Sequence, residues 1–137
     1  MRRGAALTFV DPLAGEIGDF PLATLIERVE AADPDYWNAG AGGGLLYRGP
    51  VARDCTMAIY LVPGHGFHLV CDTDGEALAA TLRGDSDGRA ARTINVGGDP
   101  MRISLRQCLP IHAAAAAILY FAERGRRTPD HEWLPRD

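Results

Sequence analysis

Three residues with metal-competent or nucleophilic atoms fall close together: His65, His68 and Cys71, in the pattern H-x-x-H-x-x-C. Zinc needs ligands that converge at ~2.0–2.3 Å, usually four of them. This run crosses the end of an expected hairpin, so His65 sits on the loop while His68 and Cys71 point to opposite faces of a strand. No second pair of ligands lies nearby. A cysteine beside a histidine can also supply a nucleophile and its base. No local pattern around Cys55 or Cys71 supports that role, and a lone buried cysteine is ordinarily inert packing. The residues therefore predict no catalytic group, no metal and no cofactor. A small zinc-dependent enzyme built on His65, His68 and Cys71 stays open as an alternative.

Two turns read D-x-D-G, Asp72–Gly75 and Asp85–Gly88. A calcium loop of the EF-hand type carries its glycine at position six and a glutamate at twelve, so neither turn fits. Tight turns account for the pattern, because Asp and Gly both favour turn geometry. With Glu76 they still concentrate Asp72, Asp74, Asp85 and Asp87 in one stretch against the single basic residue Arg83. That is either a solvated edge or a patch complementary to a basic partner, which would speed association by electrostatic steering. Beside the glycine run Gly40–Gly44, Tyr36 and Trp37 form an aromatic pair of the kind that anchors interfaces, or that folds back over a core edge. The glycine run lacks dinucleotide spacing and is followed by a strand rather than a helix. It is expected to be a mobile loop.

The elements that must position these residues are legible in outline. Ala5–Val10 reads as a strand closed by Asp11-Pro12. Asp19 reads as a helix cap with Pro21 in the first turn, and Leu22, Leu25, Ile26 and Val29 form one apolar stripe. Asp33-Pro34 is expected to end that helix. Leu45–Arg48, Thr56–Val62 and Phe67–Cys71 read as strands, the last two joined by Pro63–Gly66 as a hairpin. Glu76–Leu82 is ambiguous between helical turn and strand. Thr93–Val96 and Met101–Leu105 are further strands. The run from Pro110 to Gly125 opens on proline and closes on glycine, the expected helix asymmetry. Five consecutive alanines would let this helix lie close against a sheet. The expected fold is α+β: a small antiparallel sheet with an N-terminal helix and a long Ala-rich C-terminal helix packed on it, as one domain over residues 1–137.

A chain of 137 residues is long enough to bury a core. Its net charge of −4 and sequence pI near 5.5 argue against direct nucleic-acid binding, which needs a basic face. Only Arg124, Arg126 and Arg127 cluster, where cations would face the negative end of a helix. Three widely spaced cysteines suit a reducing compartment. There is no run of membrane-spanning length and no convincing secretion signal. A cytoplasmic location is expected.

Leu109-Pro110, the alanine-rich helix ending Tyr120-Phe121-Ala122-Glu123, then Gly125, Pro129 and Trp133 resemble the bacterial immunity proteins paired with deaminase-type toxins in polymorphic toxin systems. The hairpin Thr56–Cys71, with its Phe67-His68-Leu69 run, is also similar to that family's central strands. The resemblance covers about the last two-thirds of the chain. It implies a small α+β protein, monomeric when free, that forms a heterodimer with a cognate toxin and covers the toxin's active site. It carries over no contact residue. Asp72, Asp74, Glu76, Asp85 and Asp87 are the expected electrostatic contacts, and Tyr36 or Trp37 the apolar anchor. The other alternative is a secretion chaperone of the type III-like kind, which would normally be a dimer holding an unfolded segment.

Overall fold

The computed structural model describes residues 6–48, 55–73, 75–82 and 90–137. The protein is an α+β fold whose main sheet is antiparallel throughout its described pairings. In chain order the elements are β1 (Leu7–Asp11), β2 (Gly15–Ile17), α1 (Leu22–Ala31), α2 (Pro34–Trp37), β3 (Gly44–Arg48), β4 (Cys55–Val62) and β5 (Gly66–Thr73). They are followed by β6 (Glu76–Thr81), β7 (Ala91–Val96), β8 (Asp99–Ser104), a 3-10 turn (Leu105–Gln107), α3 (Ile111–Arg124) and β9 (Glu132–Leu134). Seven strands join in the order β2-β1-β3-β4-β5-β6-β9, and β7 and β8 make a separate ribbon.

The central hairpin shows how side-chain alternation builds the core. Met57, Ile59 and Leu61 alternate along β4 and lie directly opposite Cys71, Leu69 and Phe67 of β5. All six are buried, and Leu25, Val29, Trp37, Ile118 and Phe121 join them from the helices. Side chains on the opposite face of a strand normally meet water in an antiparallel sheet. Here the second face is covered as well: Val62 packs with Ile94, Ile103 and Cys108, with Tyr60 alongside. This layer explains why His68, on the opposite face from Cys71, has no exposed surface.

Helix α3 begins after Pro110, whose missing N–H costs nothing at a helix start. It ends where Gly125, at φ 71°, donates its N–H to the Phe121 carbonyl. Ala114, Ala115, Ala117 and Ala122 are buried along it, so its backbone approaches α1 and the sheet closely.

Four expectations change. Helix α1 starts after Pro21 with no side-chain cap, and Asp19 adopts φ 49° in the turn before it. Asp33-Pro34 does more than end a helix. Asp33 accepts from the Asp35 N–H and Pro34 opens α2, a good start for a new turn. Glu76–Thr81 is a strand, because it pairs with β5 on one side and β9 on the other. The glycine run is a packed junction. A Cβ on Gly44 would stand 2.5 and 2.6 Å from Phe9 ring carbons and 3.3 Å from Trp37. Gly42, at φ 82°, leaves no room for a side chain beside the Asn95 carbonyl. Glycine is thus required by close approach, and the run ties β1, β7 and the aromatic core together.

Candidate functional site

The first turn of the chain is organised by one carboxylate. Asp11, at the end of β1, is 3% exposed. Its Oδ1 accepts the backbone N–H groups of Leu13 and Ala14 at 2.8 and 3.0 Å. Its Oδ2 accepts the Arg28 Nη1 donor at 2.8 Å and the Tyr36 hydroxyl at 2.5 Å. Arg28 Nη1 also donates to the Tyr36 oxygen at 2.8 Å. The guanidinium carbon lies 4.7 Å from the Tyr36 ring centre and 5.7 Å from that of Phe20. Strand β1, helix α1 and helix α2 are therefore clamped at one point.

The electrostatics set the protonation state of each group in the clamp. Burial raises the Asp11 pKa, but the Tyr36 hydroxyl, the two backbone N–H groups and the Arg28 charge outweigh it and leave the group below its usual value. Tyr36 is pushed up to about 12, chiefly by burial and by its bond to Asp11. Near neutral pH the carboxylate stays ionised and the phenol stays protonated. Both are held by partners, so neither is poised to move a proton.

Above this clamp lies an open cavity of about 490 Å³. Leu13, Ala14, Ile17 and Ala31 form its apolar wall, with Asp11, Arg28, Asp33 and Tyr36 as the polar part. Arg28 keeps 40% of its side chain exposed. Leu13, at 59% exposure, is the most exposed large apolar side chain among the described residues. A second hollow of about 500 Å³ runs past Pro34, Pro63, His65, Pro110 and Ile111, without a carboxylate or guanidinium in its lining. Apolar walls with a few convergent polar groups are the usual mark of a binding site, and the first cavity has both.

The sequence-predicted residues are distributed differently. Trp37 is fully buried, in edge-on contact with Phe9, Tyr36 and Phe67, and its indole N–H donates to the Arg28 carbonyl at 2.9 Å. A side chain with no exposed surface cannot anchor a partner, so that expectation is corrected. Tyr36 is half-buried, and it reaches the cavity through its hydroxyl cluster. Asp72 and Glu76 are exposed near the end of the β5–β6 hairpin. Asp74, Asp85 and Asp87 lie outside the described residues. Arg127 donates to the backbone carbonyls of Cys71 and Glu76, bringing a cation to this end of the hairpin.

A second, longer acidic region was readable in the sequence by counting charge per segment. Residues 11–37 hold seven carboxylates and one arginine, while the other residues hold eleven carboxylates and thirteen arginines. Within that segment Glu16, Asp19, Glu27, Glu30, Asp33 and Asp35 are all exposed.

His68 and Cys71 diverge to opposite faces of β5, as the alternation predicts. His68 contacts the Gln107 carbonyl and Arg136, and Cys71 packs in the core. Among the described residues, no cluster of three or more His, Cys, Asp or Glu side chains is arranged to hold a metal ion. No described helix is long and apolar enough to cross a membrane. Comparisons with family models, curated proteins and solved structures find no match to this chain.

Proposed function

We propose that this protein is an immunity protein that binds a cognate secreted toxin and neutralises it by covering the active site. The toxin class this reading favours is a nucleic-acid deaminase. The observation that carries the reading is the segregation of charge. Residues 11–37 carry six exposed carboxylates and supply the lining of one open, apolar-walled cavity, Asp33 among it, while the remainder of the chain carries slightly more arginines than acids. A toxin that handles nucleic acid needs a cationic surface, and an acidic face complements it. Such complementarity speeds encounter and orients docking. The resemblance of the C-terminal residues to immunity proteins is what gives this reading its toxin partner. Asp72 and Glu76 form a secondary acidic edge in this reading, weakened by the neighbouring Arg127. The protein would act in the cytoplasm, as a monomer that forms a heterodimer with the toxin.

The test is co-expression with a candidate deaminase toxin domain taken from a neighbouring gene, followed by assay of the purified pair on single-stranded DNA. Growth should be restored, and deamination should be lost near equimolar protein. Full deaminase activity in a large excess of this protein would remove the reading.

A further inference from the structure

We infer that the cavity between β1, α1 and α2 is the docking socket for a single apolar or aromatic side chain on a basic partner surface. The partner's flanking lysines or arginines would meet the carboxylates around the socket. The identity of the partner as a toxin rests on the function proposed above; the socket itself rests on the following geometry.

Leu13 stands in solvent on a turn that cannot easily give way. Asp11 holds the Leu13 and Ala14 N–H groups from below. From the side, the Pro12 carbonyl accepts the Ala41 N–H at 2.9 Å. An exposed leucine on a pinned turn is already ordered, so burying it against a partner gains apolar contact without the usual ordering cost. Across the cavity, Ala31 leaves space where a larger side chain would fill it. The Arg28 guanidinium, its carbon 4.7 Å from the Tyr36 ring centre, lines the same cavity and gives an entering aromatic group a cation to pack against.

The charge distribution selects the occupant. Arg28 is already neutralised by Asp11 at 2.8 Å, so the socket offers little to a free carboxylate. Asp33 lines the cavity with its carboxyl exposed. Glu27 shares a helical face with Ala31, four residues on. Asp35 is exposed beside Asp33, whose carboxylate accepts its N–H. An apolar group ringed by cations satisfies the wall and the rim together. This is the pattern of a buried anchor surrounded by polar contacts that exclude water.

The socket can be tested without the toxin, by titrating the labelled protein with the peptide Lys-Lys-Trp-Lys-Lys and following backbone amide shifts. Shifts should saturate at Leu13, Ala14, Ile17 and Ala31. The tryptophan peptide should bind about tenfold more tightly than Lys-Lys-Ala-Lys-Lys, the gain expected from burying part of an aromatic side chain. Glu-Glu-Trp-Glu-Glu should leave these amides unmoved. The Ala31→Trp variant fills the socket from an exposed helical position, and its unchanged melting temperature would show an intact fold. In that variant the two basic peptides should bind alike. Equal affinity for both basic peptides in the natural protein, or shifts confined to other surfaces, would overturn the socket. Neither result would alter the deaminase protection assay, so the two proposals fail separately.

Discussion

The Nε of Arg136 donates to Nε2 of His68 across 3.1 Å, while Nδ1 of the same ring lies 2.8 Å from the Gln107 carbonyl oxygen. A guanidinium can only donate and a carbonyl can only accept, so the pair of contacts selects the neutral ring with its proton on Nδ1. A second proton on Nε2 would face a cation in a fully buried position.

The pH dependence of stability follows. Burial, helped by the Arg136 charge and opposed by the Gln107 carbonyl, lowers the His68 pKa from 6.5 to about 4. The unfolded chain takes up a proton between those values and the folded chain does not. The stabilisation is therefore complete above pH 6.5 and shrinks as pH falls toward 4, by about 3 kcal/mol over the window. Urea unfolding at pH 7 and pH 4.5 should show this loss in the natural protein. His68→Leu should be less stable at pH 7 and should show a shallower fall. Equal losses in both proteins would contradict the assignment.

The clamp on β1 should be the most sensitive polar feature of the cavity. Asp11→Ala leaves two backbone N–H groups, Arg28 and Tyr36 without their shared acceptor. A loss of about 3 kcal/mol is expected, since buried donors lose their partner. Tyr36→Phe removes one hydroxyl and should cost about 1 kcal/mol. The double variant should be less destabilised than the sum, by about 1 kcal/mol, because both changes remove the same bond. Strict additivity in denaturant titrations would show that the Tyr36–Asp11 bond contributes nothing.

Two glycines with opposite surroundings test the packed junction. Gly44→Ala drives a methyl group into the Phe9 ring at 2.5 Å and should cost about 2–3 kcal/mol. Gly18→Ala meets no atom within 4 Å. It should be neutral or stabilising by about 0.5 kcal/mol, because it only narrows the unfolded ensemble. Similar melting temperatures for the two variants would mean that the junction is loose.

Thiol chemistry reports the same core. Burial pushes Cys71 and Cys108 up to about 12, which leaves almost no thiolate at pH 8. With a disulfide reagent at pH 8, these two should react only after guanidinium is added. Cys55, half-buried with its Sγ 2.8 Å from the Gly125 carbonyl, is the remaining thiol. Rapid labelling of Cys71 or Cys108 in the folded protein would contradict the packing described.

Local pattern was sufficient for the central hairpin. The alternation Met57, Ile59, Leu61 and the turn Pro63–Gly66 lie within a few residues of one another, and side-chain period and turn chemistry are short-range properties. The proline start of α3 and its glycine stop are short-range for the same reason. Glu76–Thr81 was undecidable locally, because its partners β5 and β9 make it a strand, and β9 comes some fifty residues later. Whether Trp37 anchors an interface or folds over a core edge was open locally, and Phe9 and Phe67, distant in sequence, decide it by packing on the ring. The cavity clamp was equally hidden: Asp11 meets Arg28 and Tyr36 across separations of 17 and 25 residues. Composition alone determined that residues 11–37 are acidic. Only the tertiary structure decided that this segment folds around a cavity clamped by Asp11, Arg28 and Tyr36, because burial and side-chain convergence depend on which distant segments pack together, and periodicity carries no record of that.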